Sequence, residues 1–203
     1  MTNDERNLGG IRSSGLTNPP FGAADAFTLI ELLIVIAIII VLAGLVLSTV
    51  GYVQKKGARS RAETEIAAIS AALESYKADN GIYPQNSDTN GLDPINNVNP
   101  SASPIPNDYT KASLYLYEQI SGDTNADRVA ETKSYFAFKP NQLDPTDQTL
   151  NVISLRDPFG NSYGYSTMKA SDPTQSGYNP TFDLWSTAGG TTANDAAGWI
   201  KNW

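Results

Sequence analysis

Hydrophobic and polar positions divide the chain into a polar start, a long apolar run and a polar, turn-rich remainder. Residues 27–50 are almost all apolar, whereas residues 1–26 are polar and interrupted by glycine and proline. About 20 apolar residues in a helix are enough to cross the hydrocarbon core of a bilayer. The pattern therefore predicts a transmembrane helix over 27–50, preceded by a leader that does not belong to the fold.

A secretory signal peptide is the alternative for this apolar run. The apolar region of a signal peptide usually has roughly 7–15 residues and ends at a cleavage site of small residues. Here the run is longer and continues without a break into further helical sequence. These differences favour a permanent membrane-spanning helix.

A second helical pattern follows directly and predicts that the helix continues beyond the membrane. Five apolar residues recur at spacings of 4, 3, 4 and 3, which places them on one face of a helix. Asn80 and Gly81 supply a stop, and Pro84 lies just beyond it. We expect one helix over 27–79 whose amphipathic part, 51–80, carries a globular domain, and a coiled-coil partner is the alternative. The apolar stripe consists of Ala62, Ile66, Ile69, Leu73 and Tyr76.

The sequence after the helix predicts a small globular domain over 81–203, which makes the fold class α+β. A loop rich in Asn, Pro and Ser covers 85–110, and a short helix is expected from Ala112 to Ile120. Short aromatic and β-branched segments between turn residues then predict an antiparallel sheet packed on the apolar stripe. The expected strands cover residues 134–139, 149–156, 161–167 and 180–185.

Composition removes several classes of function. The chain has no Cys and no His, which excludes the common zinc sites, cysteine nucleophiles and a Ser-His-Asp triad. No spacing of carboxylates nominates a catalytic pair, so a membrane-tethered enzyme or binding module is the least favoured hypothesis. The net charge of -7 argues against nucleic acid as a main partner, because phosphate binding needs clustered Lys and Arg.

The start of the apolar run contains a motif with an acidic residue at Glu31. The seven residues Phe-Thr-Leu-Ile-Glu-Leu-Leu begin at Phe27. They resemble the class III signal of type IV prepilins and type II secretion pseudopilins. In that family a prepilin peptidase cuts just before the Phe and N-methylates the new terminus. The resemblance implies cleavage between Ala26 and Phe27, methylation of Phe27, and pairing of Glu31 with the terminal amine of a neighbouring subunit.

The physical chemistry of Glu31 agrees with that role. A carboxylate at membrane depth is costly unless it is neutralised or paired. A cut before Phe27 creates a cation at the same depth. The alternative is a Glu at the level of the lipid headgroups, near the end of the span.

The motif also departs from the family pattern. Ala26 stands where the family usually has Gly, and Ser48 stands where many pilins carry a helix-breaking Pro. The leader contains only Arg6 and Arg12 as basic residues, whereas four basic residues follow the span between 55 and 61. The positive-inside rule alone would reverse the orientation, and our interpretation gives the motif precedence.

Later segments are similar to the type II secretion major pseudopilin, the general secretion pathway protein G family. The helix end from Ala72 to Pro84 resembles the family's Tyr and Asn-containing turn before Tyr-Pro. Residues 156–163 resemble its Asp-Pro-Trp-Gly-Asn hairpin, with Phe in place of Trp, and residues 182–186 resemble its Tyr-Asp-Leu strand. The similar segments occur in family order across most of the mature chain.

Two loops are candidate calcium sites. The family binds calcium in the loop after its last matching strand, which the resemblance places at 186–195. A second loop has the alternating oxygen-bearing residues of a calcium loop, with Glu131 beyond them, but lacks the Gly expected after the third ligand. A solvated acidic turn is the favoured interpretation there, and we expect that no cofactor is required. The candidates are Asp195 in the first loop and Asp123, Asn125 and Asp127 in the second.

The resulting hypothesis is a structural, non-enzymatic subunit of a type II secretion pseudopilus that helps to export folded proteins. The resemblance implies contacts with copies of itself, prepilin peptidase, an inner-membrane assembly platform and minor pseudopilins, and no nucleic acid is expected. It implies a single-pass inner-membrane protein with its C-terminal domain in the periplasm, which later joins an extracytoplasmic filament. A type IV pilin of a surface pilus, serving adhesion, motility or DNA uptake, is the alternative.

Overall fold

A computed structural model of the protein describes residues 27–203, without the side chains of residues 48, 49 and 193. The expected leader, residues 1–26, lies outside the described residues. The chain divides into two compact units, Met1–Ser48 and Thr49–Trp203. The first contains most of the apolar run, and the second contains the globular domain.

The longest helix, α1, covers Leu29–Asn80. Within the first unit every side chain from residue 27 to residue 47 is exposed. By length and hydropathy, α1 is able to cross a membrane. A helix whose surface is apolar on every side, and whose side chains are not buried by the rest of the chain, is suited to a lipid environment. The predicted transmembrane character of this segment therefore fits membrane anchoring.

Within the second unit, the apolar stripe of α1 forms the base of the core. Ala62, Ile69 and Leu73 are each at most 1% exposed. Tyr76, at the end of the stripe, is half-buried and packs edge to face on Tyr135, with ring centroids 5.3 Å apart. The predicted stripe is confirmed, and the globular domain covers it.

Three shorter helices follow, and the second of them extends further than expected. The helix α3 begins at Asp108 and ends at Ser121 because both of its ends are capped. The Asn107 side chain accepts a hydrogen bond from the N–H of Thr110 at 3.0 Å, and Gly122 adopts a left-handed φ of 78°. The three helices are α2 (Ser87–Gly91), α3 (Asp108–Ser121) and α4 (Met168–Ser171).

Two small antiparallel sheets complete the domain. One pairs β1 with β2, and the other has the strand order β3-β4-β5. The register of the second sheet places Gly164 opposite Trp185 and Ser186 opposite Ile200. A long N-terminal helix with small antiparallel sheets is the predicted α+β, pilin-like arrangement, which is confirmed. The strands are β1 (Leu143–Asp144), β2 (Ser154–Leu155), β3 (Gly164–Ser166), β4 (Asp183–Ser186) and β5 (Ile200–Lys201).

The expected strand over 134–139 is wrong. The backbone N–H groups of Tyr135 and Phe136 donate to the Ile120 carbonyl at 2.8 and 2.9 Å, so this segment satisfies the end of α3 instead of a neighbouring strand. Phe136 and Phe138 pack edge to face on each other, and both lie against the core. The other expected strands, 149–156, 161–167 and 180–185, each contain part or all of a shorter observed strand, and β1 and β5 add two that the sequence did not suggest.

Candidate functional site

The first described residues form the candidate assembly site. Phe27 is 83% exposed, and Glu31 lies in the first turn of α1. The Glu31 carboxylate accepts hydrogen bonds from the Thr28 backbone N–H at 2.8 Å and from the Thr28 hydroxyl at 2.7 Å. The Glu31 N–H donates in turn to Thr28 Oγ1 at 3.3 Å. Thr28 and Glu31 therefore form a reciprocal capping box that fixes the start of the helix.

The capping box gives Glu31 a structural role in addition to the predicted one. The Thr-x-x-Glu spacing is the sequence signal for it. Both bonds from Thr28 end on the same oxygen, Oε2. A carboxylate has two oxygens, each with lone pairs, and can accept further donors. The Glu31 side chain can therefore cap α1 and pair with an amine at the same time. Ala26, which precedes Phe27 at the expected cleavage site, lies outside the described residues.

The second predicted site is a loop that closes on itself after α3. Asp123 is only 1% exposed. Its carboxylate accepts hydrogen bonds from the Tyr117 hydroxyl at 2.6 Å and from the N–H groups of Arg128 at 2.7 Å and Asp127 at 3.2 Å. Burial, together with the neighbouring Asp123 carboxylate, raises the pKa of Tyr117. Asp123 therefore organises the loop from its inside.

Three carboxylates of this loop come together. Asp123, Asp127 and Glu131 each place one carboxylate oxygen within 4.8 Å of the others. Asn125 is tied to Asp127, whose N–H donates to Asn125 Oδ1 at 3.1 Å. Glu131 accepts from the Thr124 N–H at 2.7 Å. The carboxylate oxygens are ligands that suit a hard cation. The hydrogen bonds from the chain's own N–H groups also hold the loop in this shape.

Asp195 has a separate set of partners in the loop before β5. Its Oδ2 accepts hydrogen bonds from the Thr192 hydroxyl at 2.8 Å and from the N–H groups of Thr192 and Thr191 at 3.0 and 3.1 Å. These bonds lower the pKa of Asp195, and the bond from the Thr192 hydroxyl has the largest effect. Calcium takes about 6–8 oxygen ligands, and the loop 186–195 offers a single acidic side chain. A calcium ion in this loop would depend on backbone carbonyl oxygens for most of its ligands.

A buried carboxylate that was not predicted as a site residue joins two turns beside this loop. Asp157 is 2% exposed. It accepts hydrogen bonds from the N–H groups of Phe159 at 2.9 Å and Asn161 at 2.8 Å, and from the Ser186 hydroxyl. Burial raises the pKa of Asp157, against the opposing effect of these donors. The predicted Asp-Pro-Phe-Gly-Asn turn therefore also holds the beginning of the last loop.

The last loop and α1 enclose a groove within the second unit, with a volume of about 720 Å³. Arg59 links its two sides, because its Nη1 donates to the Gly198 carbonyl at 2.7 Å. Its Nε also lies 3.5 Å from the carboxylate of Glu63 on the same helix. The loop 187–190 contributes a wall of mostly small residues. We call this the basic groove, and its side chains include Tyr52, Lys55, Lys56, Arg59, Phe159 and Asp195.

Comparison with known proteins relates this chain to one secretion family. The family model for type II secretion system protein G matches residues 49–126. A relative from Aeromonas hydrophila, type II secretion system core protein G, is 39% identical over 85 residues. A protein of the same name from Pectobacterium carotovorum subsp. carotovorum is 37% identical over 83 residues.

These matches cover only part of each chain. They include 42% and 41% of this chain, and 57% and 51% of the two relatives. The chain thus matches little more than half the length of these curated relatives. No solved structure matches the chain.

Proposed function

We propose that the chain, which is similar to the type II secretion system protein G family over residues 49–126, is a type IV pilin-like structural subunit of a secretion pseudopilus. In this role it is cleaved and N-methylated by prepilin peptidase and assembled through its N-terminal helix to help export folded proteins. The observation that carries the proposal is α1, whose first part exposes apolar side chains on every face and whose amphipathic part lies within the family match.

Each segment of the chain has its own proposed role. Residues 1–26 are the leader, 27–50 form the transmembrane and polymerisation segment, 51–80 continue the helix, and 81–203 form the pilin-like domain. Cleavage between Ala26 and Phe27 creates a terminal ammonium group on Phe27, which is close to Glu31 in the sequence. Filament packing then places the amine of one subunit beside Glu31 of the next, which pairs two charges in apolar surroundings.

The proposed partners and location follow from the same role. The chain supplies structure rather than catalysis, and it contacts copies of itself, prepilin peptidase, the inner-membrane assembly platform and minor pseudopilins. Before assembly it is a single-pass protein of the inner membrane with its C-terminal domain in the periplasm. After assembly it is part of an extracytoplasmic filament.

The mass of the mature protein tests this proposal. Protein purified from its native membrane is expected to begin at Phe27 and to carry one additional methyl group, as measured by intact mass and N-terminal sequencing. Protein from cells that lack the prepilin peptidase is the control and is expected to begin in the leader. A native protein that begins at Met1, or after the apolar run, would contradict the proposal.

We also propose that the domain needs no bound cofactor. The carboxylates of the acidic loop, residues 123–131, already accept hydrogen bonds from α3 and from the loop itself. A ligand present at no more than its dissociation constant adds at most about 0.4 kcal/mol to the free energy of unfolding. A few millimolar calcium, or a chelator, is therefore expected to move the thermal unfolding midpoint by less than about 2 °C.

Two matched variants make the calcium experiment specific. Asp127→Asn removes one carboxylate of the cluster, and Asp195→Asn removes the carboxylate of the last loop. A calcium-dependent rise above about 5 °C that Asp127→Asn abolishes and Asp195→Asn retains would establish a cation site in the acidic loop and contradict the proposal.

A further inference from the structure

The basic groove has no part in the proposed assembly chemistry at Glu31. Its volume of about 720 Å³ lies in the range of roughly 300–1,000 Å³ that is common for small-ligand sites. It combines three basic side chains from one helix with a wall of small residues from the loop 187–190. The arrangement leaves room for a group with several oxygen atoms next to fixed positive charge.

The charges in the groove do not cancel. Arg59 is partly committed, since it binds the Gly198 carbonyl and pairs with Glu63. Lys55 and Lys56 have exposed side chains on the same groove. The single carboxylate there, Asp195, is already held by the Thr191–Thr192 turn. The groove therefore presents a net positive charge in a chain whose overall charge is -7.

The sequence position of the groove identifies the kind of anion. Lys55 follows Leu47, near the end of the apolar run, by eight residues. Basic residues this close to a membrane span lie within reach of the lipid headgroups of the leaflet that they face, and an ammonium group is attracted to an anionic headgroup there. Tyr52 lies between Leu47 and Lys55 in the sequence and is 72% exposed. Tyrosine is enriched at the level of the lipid headgroups. Phe159 adds an apolar wall, which a hydrated inorganic anion would not use but the glycerol part of a lipid can cover.

We propose that the basic groove binds the phosphate headgroup of an anionic phospholipid, with Lys55 and Lys56 as the ligands of the phosphate oxygens. Arg59 is a positioning residue that fixes the last loop against α1. The proposal rests on the proposed membrane anchoring of the chain, because only an anchored chain meets the lipid at this depth. A bound headgroup would hold the globular domain at the membrane surface before the subunit leaves for the filament.

Lipid selectivity of the full chain tests the proposal. The protein is held in detergent micelles that contain equal amounts of phosphatidylglycerol and phosphatidylcholine, and native mass spectrometry counts each lipid retained. Wild type is expected to retain phosphatidylglycerol preferentially. Each lysine near an anionic surface contributes about a fivefold preference. The double variant Lys55→Gln, Lys56→Gln is therefore expected to lose about 25-fold of that preference.

A matched control distinguishes binding in the groove from a general effect of positive charge. The double variant Lys111→Gln, Lys139→Gln removes two exposed lysines elsewhere in the domain and is expected to keep the preference. Loss of preference in both double variants would overturn the proposal, as would equal retention of the two lipids by wild type. Displacement of phosphatidylglycerol by millimolar inorganic phosphate would assign the groove to a free anion instead.

Two further readouts distinguish this proposal from the proposed function. Co-elution of wild type with phosphatidylcholine nanodiscs tests membrane anchoring, and both double variants are expected to co-elute equally. Filament incorporation of the Lys55→Gln, Lys56→Gln variant tests a contact between subunits. Lost incorporation with unchanged lipid selectivity would overturn the lipid proposal and assign the groove to a second copy of the chain.

Discussion

Replacing Glu31 by Gln is expected to lower filament incorporation at least about tenfold while leaving processing before Phe27 intact. Gln at this position of a capping box still accepts a hydrogen bond from the backbone N–H of Thr28, so the start of α1 is preserved. The variant removes only the negative charge. In apolar surroundings the amine of a neighbouring subunit would then lack its counter-ion, and an unpaired charge there is strongly unfavourable.

A second variant separates charge from capping. Glu31→Ala removes the charge and also the hydrogen bonds that Glu31 accepts from Thr28. The sheared filament fraction and the ratio of cleaved to uncleaved protein, both from immunoblots, give the two readouts. Equal failure of the Gln and Ala variants would assign the role to the charge. Failure of the Ala variant alone would assign it to the cap, and normal filaments from both would end the pairing hypothesis.

Gly164→Ala is expected to cost about 3 kcal/mol of the free energy of unfolding, at the upper end of overpacking effects. A Cβ at Gly164 would lie 2.2 Å from Cε2 and 2.3 Å from Cζ2 of Trp185, the residue paired with it on β4. Trp185 is fully buried, and its Nε1 donates to the Tyr109 hydroxyl at 3.2 Å. Its ring also stacks on Trp199 with centroids 6.2 Å apart. The ring is confined on several sides, so the added methyl group must displace the strand pair.

A glycine in open space provides the matched control. Gly57 lies within α1, and a Cβ there would meet nothing within 4 Å. Gly57→Ala is expected to stabilise the helix by roughly 0.5–1 kcal/mol. Thermal unfolding of the full chain in detergent, followed by tryptophan fluorescence, measures both variants. A loss below about 1 kcal/mol for Gly164→Ala would show that the ring of Trp185 can move aside.

Features that depend on local periodicity could be predicted from the amino-acid sequence alone. The uninterrupted apolar run predicted the membrane segment, and the 4-3-4-3 spacing predicted the buried stripe, because a helix places residues three and four apart on one face. The end of α1 was predicted within one residue by the Asn80-Gly81 stop. The family resemblance also came from contiguous motifs, which need no tertiary information.

Short strands and their pairing were decided by tertiary structure. The segment 134–139 has the aromatic composition of a strand, but its N–H groups satisfy the Ile120 carbonyl at the end of α3. Strand β5 has two residues, which is too short for an alternating pattern. β-propensity describes a fit to a half-buried surface, and the sequence does not say which surface will be available.

The sites divide in the same way. Glu31 and its cap with Thr28 are three residues apart and could be predicted from the sequence, as could the alternating Asp123, Asn125 and Asp127. The basic groove could not, because Arg59 and Gly198 meet across 139 positions of the chain. Local patterns report only the direction in which a side chain leaves its own helix or strand. Which distant charges then share one groove is decided when the domain closes on α1 and brings the last loop against it.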